Sequence, residues 1–140
     1  MKIPLCCIVL CLIPICANAE QTLIDTLLGK WHMNDKNTSF GGEMSISECS
    51  DSVCKFNIQS WYDSHICNVD GELSIQKGSA EYKTTKYVYD NQTDAEYYIP
   101  VGIIFKVLSQ NKLNLHYINT DSNNAFCGMN ATVEGIWIKQ

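Results

Sequence analysis

From position 31 onward, apolar residues recur at every second position. Met44 and Ile46 alternate with Glu43, Ser45 and Ser47, and Phe56 and Ile58 alternate with Lys55, Asn57 and Gln59. Leu73 and Ile75 continue the pattern, followed by Ala80, Tyr82 and Val88. Val101, Ile103, Phe105 and Val107 form its clearest stretch. Leu113, Leu115 and Tyr117 come next, then Ala131, Val133, Gly135 and Trp137. A period of two places alternate side chains on opposite faces of a strand, one buried and one wet. Turn-forming clusters separate the runs: residues 34–37 (Asn-Asp-Lys-Asn), Gly41-Gly42, Asp70-Gly71, Lys77-Gly78, Asp90-Asn91, Gln110-Asn111 and residues 121–124 (Asp-Ser-Asn-Asn). The pattern predicts an all-β chain, an antiparallel meander of about eight short strands. Such a meander is expected to close into a small barrel or a curved sheet, because closure removes exposed edges.

Residues 20–28 have a different period. Leu23, Ile24, Leu27 and Leu28 fall at helical spacing, which predicts a short N-terminal helix covering one end of the domain. Gly29 stops it and Trp31 begins a strand. The chain then opens on Gly29-Lys30-Trp31 and closes on Gly135-Ile136-Trp137, so the first and last strands are expected to meet.

Residues 1–19 read as a secretory signal. They carry one lysine at position 2, an apolar run from Pro4 to Cys16, and small residues at Ala17 and Ala19. The run is about 13 residues, short of the roughly 18–20 that span a bilayer. No stable membrane insertion is expected after cleavage. Residues 20–140 form a single domain on this reading, exported to the periplasm or secreted. Four of the eight cysteines leave with the signal; Cys49, Cys54, Cys67 and Cys127 remain. An even number in an exported chain reads as two disulfides. Three pairings are possible, and Cys49–Cys54 with Cys67–Cys127 is favoured: one small local loop, and one long link to the last strand.

The domain keeps nine of the ten lysines against fifteen acidic residues, a net charge of −6, and the chain has no arginine. That composition disfavours nucleic acid, whose phosphates are neutralised by basic residues. It suits a basic protein partner. Candidate catalytic groups do not form a recognisable set. Ser60, Asp63 and His65 are present without a nucleophile-elbow motif. His65-Ile66-Cys67 lacks the further ligands a metal site requires, and an oxidised Cys67 is no thiolate. No metal, cofactor or catalytic activity is expected. The stretch Trp61, Tyr62, Asp63, Ser64, His65 and the segment from Tyr87 to Tyr98 are aromatic and acidic together. Rigid aromatics supply contact area and acids select a basic partner. Trp61, Tyr62, Asp63, His65, Asp90, Asp94, Glu96, Tyr97 and Tyr98 are the candidate contact residues. Residues 90–100 are expected to be the longest loop.

Two resemblances add to this. The run His65-x-Cys67, Gly71, Ala80-x-Tyr82, Cys127-Gly128 and the final Val133-Glu134-Gly135-Ile136-Trp137 resembles a small exported bacterial β-domain. Such domains are found alone or beside domains similar to the LprI-type lysozyme inhibitors. The resemblance implies a periplasmic or secreted all-β module that inhibits or binds. Glu134 stands where that group usually has Asp, and Trp137 where it usually has Tyr. Separately, Gly29-x-Trp31 is similar to the opening signature of lipocalins and other calycins, and with Asn34-Asp35 it resembles the start of avidin. This implies a barrel with Trp31 at one end, although no arginine exists to lie over it. The expectation is therefore an exported, non-catalytic binding module, an inhibitor of a basic enzyme such as lysozyme. The alternative is a lipocalin-like carrier of a small apolar ligand. The interior decides between them: if Phe56, Ile58, Tyr82, Phe105 and Trp137 fill the barrel, no room is left for a ligand.

Overall fold

A computed structural model describes residues 15–34, 39–76, 78–127 and 130–140. The elements are α1 (Ile15–Leu27), β1 (Gly29–Asn34), β2 (Phe40–Ser50), β3 (Val53–Tyr62), β4 (His65–Gln76), β5 (Ser79–Asp90), β6 (Ala95–Ser109), β7 (Lys112–Tyr117), α2 (Thr120–Phe126) and β8 (Gly135–Lys139). Each strand pairs antiparallel with the next, and β8 returns to β1, so the sheet is a closed barrel in simple meander order.

The alternation seen in the sequence is the inward-outward alternation of the barrel wall. On β3, Cys54, Phe56, Ile58 and Ser60 are buried while Lys55, Asn57 and Gln59 face water. The inward set fills the interior. Trp31, Ile58, Ile103, Phe105, Leu113, Leu115 and Trp137 are all under 2% exposed. Phe56 packs edge-on against Phe105 at 5.4 Å and Tyr82 at 5.0 Å. Removing a large aromatic from such a core costs about 3–5 kcal/mol through lost transfer energy and the cavity left behind.

α1 covers the end of the barrel from which β1 starts. Leu23 and Leu27 enter the core, and the Trp31 indole N–H donates to the Leu27 carbonyl at 2.9 Å. The closing strand reaches the same end. Lys139 Nζ donates to the Thr26 carbonyl at 2.8 Å and sits 5.3 Å from the Trp31 ring centroid. A cation there satisfies an orphan carbonyl of the helix end and meets the electron-rich ring face. Most of the expected signal segment, residues 1–14, lies outside the described residues; α1 runs across the boundary at 19/20, and the leucines it buries lie beyond it.

Both disulfides form in the favoured pairing. Cys49–Cys54 staples the β2–β3 hairpin, and Cys67–Cys127 joins β4 to the residue after α2, 60 positions on. They are consistent with an oxidising, exported location. Among the described residues no helix is long and apolar enough to cross a membrane.

The structure corrects the sequence reading in four places. Gly41-Gly42 and Asp70-Gly71, expected as turns, lie inside β2 and β4. Rings occupy the space their side chains would need: a Cβ on Gly41 would fall 2.7 Å from Trp61, on Gly42 2.6 Å from Trp137, and on Gly71 2.6 Å from Tyr82. Residues 121–124, expected as a turn, belong to α2. Its cap is Asn119, whose Oδ1 accepts from the Ser122 N–H at 3.0 Å. The last strand begins at Gly135. Ala131 and Val133 are buried but not in a strand; the Val133 N–H donates to the Tyr117 hydroxyl at 3.1 Å. Residues 90–100 are mostly strand, as described below. The expected turn at 34–37 falls largely on residues 35–38, outside the described set.

The barrel wall is uneven. β4 and β5 pair only where Ser74, Ile75 and Gln76 meet Glu81, Ala80 and Ser79, and above that level they part. The Tyr82 ring over Gly71 and the end of α2 fill the interior side of this seam. Phe126 lies 5.7 Å from the Tyr82 ring and 6.4 Å from that of Tyr117, and Cys127 is bonded to Cys67. β5 and β6 stay close. A Cβ on Gly102 would fall 2.2 Å from the Tyr82 carbonyl oxygen, which is backbone and cannot swing away. Gly102→Ala should therefore force the two strands apart and cost about 1–3 kcal/mol, the usual scale for overpacking. A denaturant titration of the oxidised protein checks it; an unchanged midpoint would contradict so close an approach.

Candidate functional site

The turns joining β2 to β3, β4 to β5 and β6 to β7 lie at the α1 end. The β3–β4 and β5–β6 connections leave the opposite end. All nine candidate contact residues fall on these two hairpins, so the fold brings the two sequence stretches to one end of the barrel.

The β5–β6 hairpin is an arm. Its register is unbroken from Ala80↔Phe105 to Asp90↔Ala95, and only residues 91–94 turn. The expected loop over 90–100 is thus a two-stranded extension, because Tyr, Val, Ile and Thr on facing positions pair well across strands. Directly opposed residues share a face. Tyr87↔Tyr98 and Tyr89↔Glu96 form the outer face. Tyr98 is 69% exposed, and its ring meets that of Tyr87 edge-on at 5.6 Å. Val88↔Tyr97 and Lys86↔Ile99 form the other face, which leans toward α2, where Lys86 Nζ donates to the Asn124 carbonyl at 3.4 Å. Tyr97 therefore points away from Tyr98 and Glu96. Tyr87 and Tyr89 complete the outer face, and the alternation along β5 was the signal that would have selected them.

At the tip, Asp90 accepts from the Gln92 N–H and the Thr93 hydroxyl, both at 2.8 Å. Those bonds hold its carboxyl below the ordinary carboxylate range, the Gln92 amide contributing most. Asp90 thus serves to shape the turn. Asp94 adopts a left-handed φ of 52° and accepts the hydroxyl of Tyr89. Glu96 lies diagonally from Tyr87 on the same face and acts on its phenol. Each carboxylate favours the protonated phenol and raises that tyrosine's pKa above its usual value.

The β3–β4 hairpin presents a smaller surface. The Trp61 ring lies across Gly41 and stays half-buried. Its register partner Ile66 is 60% exposed. Tyr62 and His65 oppose one another at the tip and are exposed. Asp63 turns the chain at φ 50°, its N–H donating to the Ser39 carbonyl at 3.2 Å. Ser60 faces the core and is fully buried, whereas Asp63 and His65 are exposed, so these three do not assemble as a catalytic set. Among the described residues no three His, Cys, Asp or Glu side chains converge as a metal site.

In comparisons with known proteins, no family model matches the chain, and neither the characterised proteins nor the solved structures give a match.

The tyrosine–carboxylate pairs carry a pH signature. A folded pKa raised above the unfolded value contributes stability that is complete below the ordinary tyrosine pKa of about 10. That contribution is lost as pH rises through the raised value. Ultraviolet titration of phenolate should show Tyr89 ionising later than free tyrosine, and Asp94→Asn should bring it earlier. An identical titration curve for the variant would mean that the pair is absent in solution.

Proposed function

We propose that this chain is an exported, non-catalytic binding module that acts from the periplasm or outside the cell, and that its arm engages a basic protein, such as a lysozyme, as an inhibitor. The outer face of the arm carries this reading. Three exposed tyrosines there stand beside the carboxylates of Asp94 and Glu96, on a domain with a net negative charge and no arginine. Tyrosine supplies large contact area at low entropy cost, and acids attract and orient a cationic partner. The Tyr89–Asp94 hydrogen bond and the Tyr87–Tyr98 ring contact hold the rings in place before contact, which lowers the cost of ordering them on binding.

The packed interior supports surface contact over internal carriage. Phe56, Ile58, Phe105 and Trp137 occupy the volume that an apolar ligand would need. We read Lys139, which lies over Trp31 from the closing strand, as standing where lipocalin-like barrels place an arginine.

Asp94→Ala with Glu96→Ala should weaken binding to hen-type lysozyme by about tenfold, the loss coming mainly from lost attraction and from looser tyrosines. Raising salt should weaken the unaltered protein in the same direction. Calorimetry at low and moderate ionic strength, with a lytic assay alongside, reads both effects. Binding that is insensitive to salt and to the double substitution would overturn the electrostatic reading, and an absence of binding at micromolar concentration would overturn the inhibitor reading itself.

A further inference from the structure

Where the barrel wall parts, no strand among the described residues covers the edge of β5. The orientation of its backbone follows from its neighbour. The Gly102 N–H donates to Ser122 Oγ at 2.9 Å, and its carbonyl accepts from the Ile118 N–H at 3.1 Å, so Gly102 faces the β7 side of β6. Lys83 is its register partner, and in an antiparallel ladder it therefore points away from β6. Glu81, two residues earlier, is where β5 meets Ser74 of β4. The same alternation turns the N–H and C=O groups of Lys83, Thr85, Tyr87 and Tyr89 into the seam after β4 has diverged. From the opposite wall Glu72, Asp70 and Asn68 face the seam, since they share the alternation of Ser74.

The two edges of the arm are treated differently. On the β6 side, Pro100 has no N–H to offer and its carbonyl accepts Asn119 Nδ2 at 2.8 Å, while Ser122 takes the Gly102 N–H. Proline and side-chain cover are how sheets blunt an edge. The β5 edge has no proline and no such cover. At the foot of the seam a groove of about 430 Å³ is lined by Glu72, Ser74, Gln76, Ser79, Glu81 and Lys83. Among the described residues its one lysine, Lys83, is paired with Glu81. Asp70 stands on β4 just above, so the walls are acidic on balance.

We propose that the seam between β4 and β5 is a docking slot for an extended peptide segment with basic side chains at alternate positions, pairing its backbone with the β5 edge at Lys83, Thr85, Tyr87 and Tyr89. Strand addition takes its affinity from main-chain hydrogen bonds and its selectivity from the flanking side chains. Outward side chains of the added strand lie between Asp70 and Glu72 on one wall and the Tyr87 and Tyr89 rings on the other. The basic character of the occupant rests on the proposed reading of a basic partner; the slot itself rests on the strand geometry.

The probes are a synthetic peptide alternating lysine with valine and its glutamate counterpart, added to the oxidised full-length protein. Amide hydrogen exchange should slow at Lys83, Thr85, Tyr87 and Tyr89 with the lysine peptide and not with the glutamate one. Asp70→Lys with Glu72→Lys should weaken the lysine peptide by about tenfold and admit the glutamate peptide. Thr85→Pro removes a central donor and should abolish the protection. Because a proline can also unfold the arm, the exchange map of the unaltered protein and the exposed charge reversal stand as independent tests. Binding of the lysine peptide without protection at these four amides would overturn the slot. So would protection that rises with protein concentration alone, since the occupant would then be a second copy of the chain. Lysozyme binding lost with Asp94→Ala and Glu96→Ala but kept in Thr85→Pro would also overturn it while leaving the outer face as the contact. Peptide docking without any lysozyme binding would do the reverse.

Discussion

A barrel is stable as a barrel only if its last strand finds its first, and here that junction is narrow. β8 meets β1 at Trp31↔Lys139 and His32↔Ile138, with the Gln140 N–H adding one bond to the Lys30 carbonyl at 2.9 Å. So short a seam gains support from what surrounds it. Lys139 binds the end of α1 and covers Trp31, and Trp31 in turn donates to the last turn of the same helix. Helix end, first strand and last strand are thus held by one cation and one indole. Trp31 shares one core with the inner residues of the other strands, so the closure and the core support each other.

The opposite end follows another logic. There the wall opens between β4 and β5, and α2 is drawn in to fill the inner side. Asn119 caps the helix and also binds Pro100; Ser122 bonds to both Asn119 and Gly102; Cys127 is tied to Cys67. A helix of seven residues has little stability of its own. It persists because its polar groups are spent on the barrel and its last residues are anchored by Phe126 and the disulfide. The arm stands on this assembly, with a turn fixed by Asp90, Tyr89 held by Asp94, and Tyr87 packed on Tyr98. The result is a rigid end closed by α1 and an elaborated end that carries nearly all of the exposed aromatic surface.

Much of this was legible in the sequence. Strict alternation marks the strands, because burial on one face is a local demand written at every second residue. The disulfide pairing was legible from loop length and the meeting of middle and end. The glycines misled, since the sequence shows that a residue lacks a side chain but not why. At Gly41, Gly42 and Gly71 the reason is a ring arriving from a distant strand. α2 was hidden for a similar reason. Asp121, Ser122, Asn123 and Asn124 favour turns when isolated, and only the tertiary bonds to Gly102 and Pro100 make them helical. That the candidate contact residues meet at one end was not legible in the sequence; it follows from the meander order. Their division between two faces of an arm required the register, which sets Tyr97 against Val88 and Tyr98 against Tyr87.

The Cys67–Cys127 bond also sets the mechanics of the molecule. It closes a covalent ring that contains most of β4, all of β5 to β7, and α2. A pull on the two chain ends loads the narrow β1–β8 junction first, and β1, β2, β3 and β8 can then be drawn out as extended chain. The segment inside the ring bears none of that tension along its own backbone, because the load passes from Cys67 to Cys127 through sulfur. The arm and the seam lie within this shielded loop. An unfoldase or a stretching tether would therefore strip β1, β2, β3 and β8 while leaving the arm and the seam in a topologically intact ring, until a reductant opened it.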